Sequence, residues 1–170
     1  MKRMTVALAV GALVLGGAAT ASATPGAAKV PEAIKVPAGN RPIATYSAEG
    51  VQIYGCTAGA WTLIQPAAVL SRHGKPVAIH SKGPIWTSTV DGSAVGAGAV
   101  ANSPRPDAIP ELLLKANLNT GDGVFSEVTY VQRLNTRGGV APAGTCTTGA
   151  QTAVRYSADY AFWVVSTVTT

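Results

Sequence analysis

Two histidines, His73 and His80, are the only imidazoles in a chain of 170 residues that also carries 8 carboxylate side chains. General acid-base chemistry needs such a group within hydrogen-bond reach of a nucleophile, a water or a second titrating group. His80 closes the apolar stretch Val77–Ile79, and Asp91 follows it by eleven positions, so these two are the catalytic candidates. Ser81, Ser93, His73, Glu127 and Asp159 complete the set of residues with suitable chemistry. No serine stands in the G-x-S-x-G elbow that would present a nucleophile. Each candidate also has a structural reading. Asp91 precedes Gly92 in the dipeptide that β-hairpin turns prefer, and a histidine ending an apolar strand can be a packing residue.

Other chemistries find less support. His73 and His80 are seven residues apart across Gly74-Lys75-Pro76, a spacing that matches no standard ligand set, so no metal is expected. Gly96-Ala97-Gly98 with Ala101 spells a dinucleotide fingerprint, but Asn102-Ser103-Pro104-Arg105-Pro106 follows where a helix would have to receive the pyrophosphate. A nicotinamide enzyme is therefore not supported, and no cofactor is expected. Flat indole rings suit sugars and other ring ligands, which makes Trp86 and Trp163 the ligand-binding candidates. Trp61 shares parity with Leu63 and reads as core. Trp163 falls opposite the tyrosines of its segment and is expected to face outward.

Lys2 and Arg3 followed by an apolar run to Ala19 and the small residues Ala21-Ser22-Ala23 read as a secretory signal peptide over residues 1–23. Its removal takes the net charge from +5 to about +3 with the basic residues scattered singly, which argues against nucleic acid as a partner. No second apolar run is long enough for a membrane helix. Export would place Cys56 and Cys146 in an oxidising compartment, where a lone pair of cysteines is expected to bridge. Residues 24–42, with prolines at 25, 31, 37 and 42, read as an extended arm or linker ahead of a β-domain at 43–170.

After residue 23 the chain has four glutamates and five lysines against abundant Val, Thr and Gly, a composition that favours strands over helices. Val51–Cys56, Trp61–Gln65, Ala67–Ser71, Val77–His80, Ile85–Val90 and Ser93–Ala101 read as successive short strands. Asn102–Pro110 reads as a proline-rich surface loop. Leu112–Asn117 and Val124–Leu134 follow as strands, the latter with Val124, Val128, Tyr130 and Leu134 inward. Val154 to Val164 alternates cleanly, with a bend expected near Ser157–Asp159 because the run exceeds an ordinary strand. The sum is an all-β fold, a single antiparallel sandwich or barrel-like domain of about seven to nine short strands with one disulfide.

An ordered series of motifs accompanies this pattern: VPAGN, GVQIYGC, GKPVAIH, GPIWTSTVDGSAVGAG, AIPELLLKA, GVFSEVTYVQRLNTRGGVAPAGTC and VRYSADYAF. The chain thereby resembles the secreted bacterial and fungal family catalogued as domain of unknown function 3455, over about Val36 to Phe162. The resemblance implies a secreted domain with two cysteines in these places and no established activity, although some fungal members carry the name malate dehydrogenase. Relatives have an aromatic where Ser81 stands and a tryptophan where Glu111 stands, so an aromatic-lined site would lack two walls here. The expected function is that of a non-catalytic extracellular or cell-envelope-associated binding domain, its ligand polysaccharide or other envelope material. The alternative is a small extracellular hydrolase or lyase using His80 with Asp91.

Overall fold

Alternation of apolar and polar residues with β-branched and aromatic side chains makes strands, and a sheet of such strands must bury its apolar face. The computed structural model of the protein, which describes residues 30–167, does so by closing one sheet on itself. Eight antiparallel strands follow in chain order: β1 (Asn40–Thr57), β2 (Ala60–Arg72), β3 (Lys75–Ser81), β4 (Ile85–Ser88), β5 (Ala94–Arg105), β6 (Ala108–Thr120), β7 (Tyr130–Gly138) and β8 (Gln151–Val165). Each pairs with the next, and β8 returns to β1, giving a closed up-and-down barrel with no free edge. The choice between sandwich and barrel is thus settled in favour of the barrel. The expected signal peptide lies outside the described residues.

Register explains which residues fill the interior. Tyr46, Ala48, Gly50 and Gln52 of β1 lie opposite Tyr160, Ala158, Tyr156 and Val154 of β8, so the even positions of both strands point inward. Tyr156, Tyr160, Phe162 and Val164 are buried, as their period of two predicts. Residues outward on the same strands, among them Thr45, Ser47, Glu49, Arg155 and Asp159, are polar. Gly50 marks the tightest corner, because a Cβ there would collide with Ala67 O and the Ala68 Cα.

Several elements differ from the sequence expectation. β8 is one continuous strand of 15 residues with no break at Ser157–Asp159, because the tilted strands of a closed barrel run long. Trp61–Gln65 and Ala67–Ser71 join in β2 through Pro66, opposite a register shift at Ile53/Tyr54. Asn102–Pro110 is not a loop: Pro104 and Pro110 sit in β5 and β6, beside register irregularities that remove the need for their missing N–H groups. Residues 121–129 form a folded plug, with Phe125 and Val128 buried, so β7 starts only at Tyr130. The plug resets parity, and Val131 and Arg133 point inward in place of the expected Tyr130 and Leu134. Trp61 is half-buried beside an exposed Leu63, because the first half of β2 runs past the end of the packed core.

The described part of the proline-rich arm is not a free linker. A single 3₁₀ turn, Glu32–Ile34, sets Ile34 at 0% exposure against the outer wall, where Gln132 Nε2 donates to Ile34 O at 2.7 Å. Gln132 faces out between Leu113 and Ala161, and Ile34 covers that stripe. β1 then begins at Asn40, ahead of the expected domain boundary.

Candidate functional site

In an up-and-down barrel alternate turns gather at opposite ends. The β2–β3, β4–β5 and β6–β7 connections share one end, and the β1–β2, β3–β4, β5–β6 and β7–β8 connections share the other. This division separates the sequence candidates, placing Asp91 at the first end and the β3–β4 turn next to His80 at the second.

Asp91 closes its end. Its carboxylate accepts from Ser93 N–H at 2.9 Å, from the Ser93 hydroxyl at 2.6 Å and from Val124 N–H at 3.0 Å. Ser93 Oγ in turn accepts from Phe125 N–H at 3.1 Å. These bonds, led by that from the Ser93 hydroxyl, hold the Asp91 carboxyl far below the usual carboxylate range. They also seat Phe125 under the barrel, its ring 4.6 Å from Phe162 and 6.5 Å from Tyr46. Gly123, with φ +156°, passes so close to Asp91 that a Cβ would strike the carboxyl group. Asp91 is thus a turn and plug residue.

His80 belongs to the other end. Its ring stacks on Trp86 at 4.4 Å and 2° between planes, and Tyr160 meets both rings edge-on at 5.2 and 5.3 Å. The register places Ala68, His80, Trp86 and Val95 side by side on the inner wall. Ile85 O can only accept, so the 3.0 Å contact assigns the proton to His80 Nδ1 and leaves Nε2 as a free acceptor. Burial pushes the His80 pKa from its ordinary 6.5 down to about 4, with the Arg133 charge adding to the effect. The imidazole is neutral at ordinary pH.

Above this stack lies a cavity of about 310 Å³. Leu63, Ile64, Pro66, Pro84, Leu112 and Leu114 give it a largely apolar wall, and His80, Trp86, Tyr160, Gln52 and Arg133 supply the polar groups. Two of those groups are buried without a partner: Gln52 Oε1, in a residue 1% exposed, and Trp86 Nε1, likewise 1% exposed. Such orphaned atoms are uncommon in native interiors and ask for a ligand or a water. Arg133 sits where the β6–β7 ladder breaks between Ala108 and Leu112, and donates from Nε and Nη2 to Pro110 O at 3.1 and 2.9 Å. Tyr160's hydroxyl pKa is raised by burial, the Arg133 charge opposing the rise.

The disulfide frames this end. Cys56 and Cys146 are bonded, with Cα atoms 5.9 Å apart, and the loop from Gly139 to Ala150 is further tied by Cys56 N–H to Ala150 O at 2.8 Å and Gly149 N–H to Cys56 O at 3.0 Å. Trp163 is half-buried on the outer wall, remote from the cavity lining, with its Nε1 also unpartnered. Glu111, where relatives were expected to have an aromatic wall, faces away from the cavity and accepts Asn135 N–H at 2.7 Å, replacing a lost ladder bond. Ser81 is exposed beside the β3–β4 turn. No cluster of three or more His, Cys, Asp or Glu side chains suited to a metal ion occurs among the described residues.

Sequence reasoning missed Gln52 and Arg133. Gln52 alternates with Tyr54 and Cys56 on β1, and that shared parity was the available sign that it faces inward.

A closed eight-stranded barrel, plugged at one end and hollowed into an apolar cavity at the other, defines the protein as a cup-shaped up-and-down barrel. Residues 71–164, more than half of the chain, match the family model described as "Protein of unknown function (DUF3455)", and the chain belongs to that family. No curated protein and no solved structure matches it.

Proposed function

We propose that this is a secreted, non-catalytic binding protein that takes a small, largely apolar ligand into the open end of its barrel. The observation that carries the reading is the pairing of an apolar cavity with two buried, unpartnered polar atoms, Gln52 Oε1 and Trp86 Nε1. Pockets for small molecules are typically concave, apolar and furnished with a few fixed polar groups. A cavity of about 310 Å³ falls at the small end of their range. Secretion is supported by the leader pattern of residues 1–23 and by the disulfide, which oxidising compartments favour. The outward residues of β1 and β8, among them Thr45, Ser47, Glu49, Arg155 and Asp159, are polar, which suits an aqueous surrounding over a lipid-facing wall.

The ligand is a compact molecule in preference to a polysaccharide chain, because Trp86 is stacked inside the barrel and offers no open face to a sugar ring. Hydrolysis or elimination by His80 with Asp91 is disfavoured by their positions at opposite ends of the barrel.

The test is fluorescence titration with N-phenyl-1-naphthylamine, a neutral apolar probe. Saturable enhancement is expected, and Ala99→Trp, a change at an exposed residue of the cavity rim, is expected to remove it without altering the melting temperature. Enhancement that persists undiminished in Ala99→Trp contradicts binding in the cavity.

A further inference from the structure

Resting on that reading, we infer that the ligand is a monoanionic amphiphile, an apolar body ending in a carboxylate or similar oxyanion, held at the cavity by Arg133 and Lys82. Among the cavity-lining residues these two are the only charged ones, and both are cations. Lys82 is exposed at the β3–β4 turn on the rim, and Arg133 is half-buried on the inner wall of β7 opposite Tyr160.

Arg133 is fixed in place without a carboxylate partner. Its Nε and Nη2 share one acceptor, Pro110 O, and its guanidinium also reaches the Tyr160 hydroxyl on the facing strand. A guanidinium binds a carboxylate in a fork geometry. The nearest acid on the adjoining strand, Glu111, faces outward and is engaged with Asn135 N–H, and the only ion pair among the described residues joins Lys35 to Glu32. The cation at the cavity therefore lacks an anion that the protein itself could supply. Of the remaining groups, Trp86 Nε1–H is a donor without an oxygen partner and the neutral His80 adds no competing charge, while Gln52 Oε1 and His80 Nε2 are acceptors left to a water or a donor elsewhere on the ligand. An ammonium-headed ligand would meet two like charges and no carboxylate.

Calorimetric titration of the secreted chain at about neutral pH with octanoate, 1-octanol and octylammonium separates the possibilities. Octanoate is expected to bind about tenfold or more tighter than octanol, the scale of one charge-assisted hydrogen bond, with octylammonium the weakest. Arg133→Gln should bring octanoate to within about twofold of octanol measured on the same variant, and Lys82→Gln, an exposed rim change, should narrow the gap by a smaller factor. Circular dichroism checks that Arg133→Gln is folded; if it is not, the three-ligand comparison on the unaltered protein and on Lys82→Gln decides. Equal affinity for octanoate and octanol, or a preference that survives both substitutions, overturns the anionic ligand and leaves the apolar binding site standing. Failure of all three to bind overturns the binding reading itself, and this inference with it.

Discussion

The two ends of the barrel are made from the same kinds of hairpin connection, yet they treat polar groups in opposite ways. At the plugged end Asp91 satisfies Ser93 and Val124, and Ser93 satisfies Phe125, so polar atoms close a cap over an aromatic floor. At the open end Gln52 Oε1 and Trp86 Nε1 are buried without partners, and Arg133 is held beside an apolar hollow. An unpaired buried polar group costs about 1–3 kcal/mol, a cost that the Asp91–Ser93 cluster avoids with short local hydrogen bonds. The contrast teaches where stability is concentrated and where recognition is.

Removing the disulfide should produce the largest change. The bridge closes a separation of 90 residues, for which chain entropy predicts about 4–5 kcal/mol. Cys56→Ser is expected to lower stability by that order in denaturant unfolding and to raise hydrogen exchange in residues 139–150 at the open end, with the Asp91–Phe125 cap still protected. Equal loss of protection at both ends would erase the distinction between them.

Phe125→Ala attacks the plugged end. Loss of a fully buried ring packed on Phe162 should cost about 3–4 kcal/mol in the same measurement. Probe binding at the other end should be unchanged in the folded fraction. A variant that remains folded but no longer binds would show that the two ends are coupled.

How much of this contrast was legible in sequence depends on how local each feature is. The Asp91-Gly92 turn, the period of two in β8 and the oxidised cysteine pair rest on neighbouring residues or on compartment, and they appear as read. The parity that puts Val124, Val128, Tyr130 and Leu134 inward turns Arg133 outward, and it fails because it is carried across a plug whose irregular backbone no pattern of alternation reports. Pro104 and Pro110 suggested a loop, since nothing local reveals that ladder irregularities will accommodate them. Ile34 looked like an isolated apolar residue in a linker, and only closure of the barrel creates the outer stripe that buries it.

Acid distinguishes the ends by window. His80 at the open end has a folded pKa of about 4 against its ordinary 6.5, so the unfolded chain binds the proton first. Its neutral burial is a stability term fully present above pH 6.5 and lost as pH falls toward 4, on the order of 3 kcal/mol. Asp91 has its pKa depressed, so its contribution is present above the ordinary carboxylate value of about 4 and fades only as pH falls below it. In chemical denaturation at a series of pH values, His80→Leu should flatten the curve between pH 6.5 and 4, whereas Asp91→Asn should leave that slope intact. At neutral pH Asp91→Asn should cost about 1–2 kcal/mol, the smallest of these effects, because its exposed hydrogen bonds compete with water.

The most direct test is a ¹H–¹⁵N spectrum of the labelled protein during titration with N-phenyl-1-naphthylamine, reading the indole N–H of each tryptophan. Trp86 lines the cavity with its Nε1–H buried and unpartnered, and Trp163 lies on the outer wall, so the two indoles serve as probe and control within one molecule. The Trp86 indole peak and the Gln52 side-chain amide are expected to shift saturably together, with Trp163 and the backbone of Asp91 and Phe125 unmoved. Saturable shifts confined to Trp163 or to the plugged end, with Trp86 unchanged, would contradict binding in the cavity.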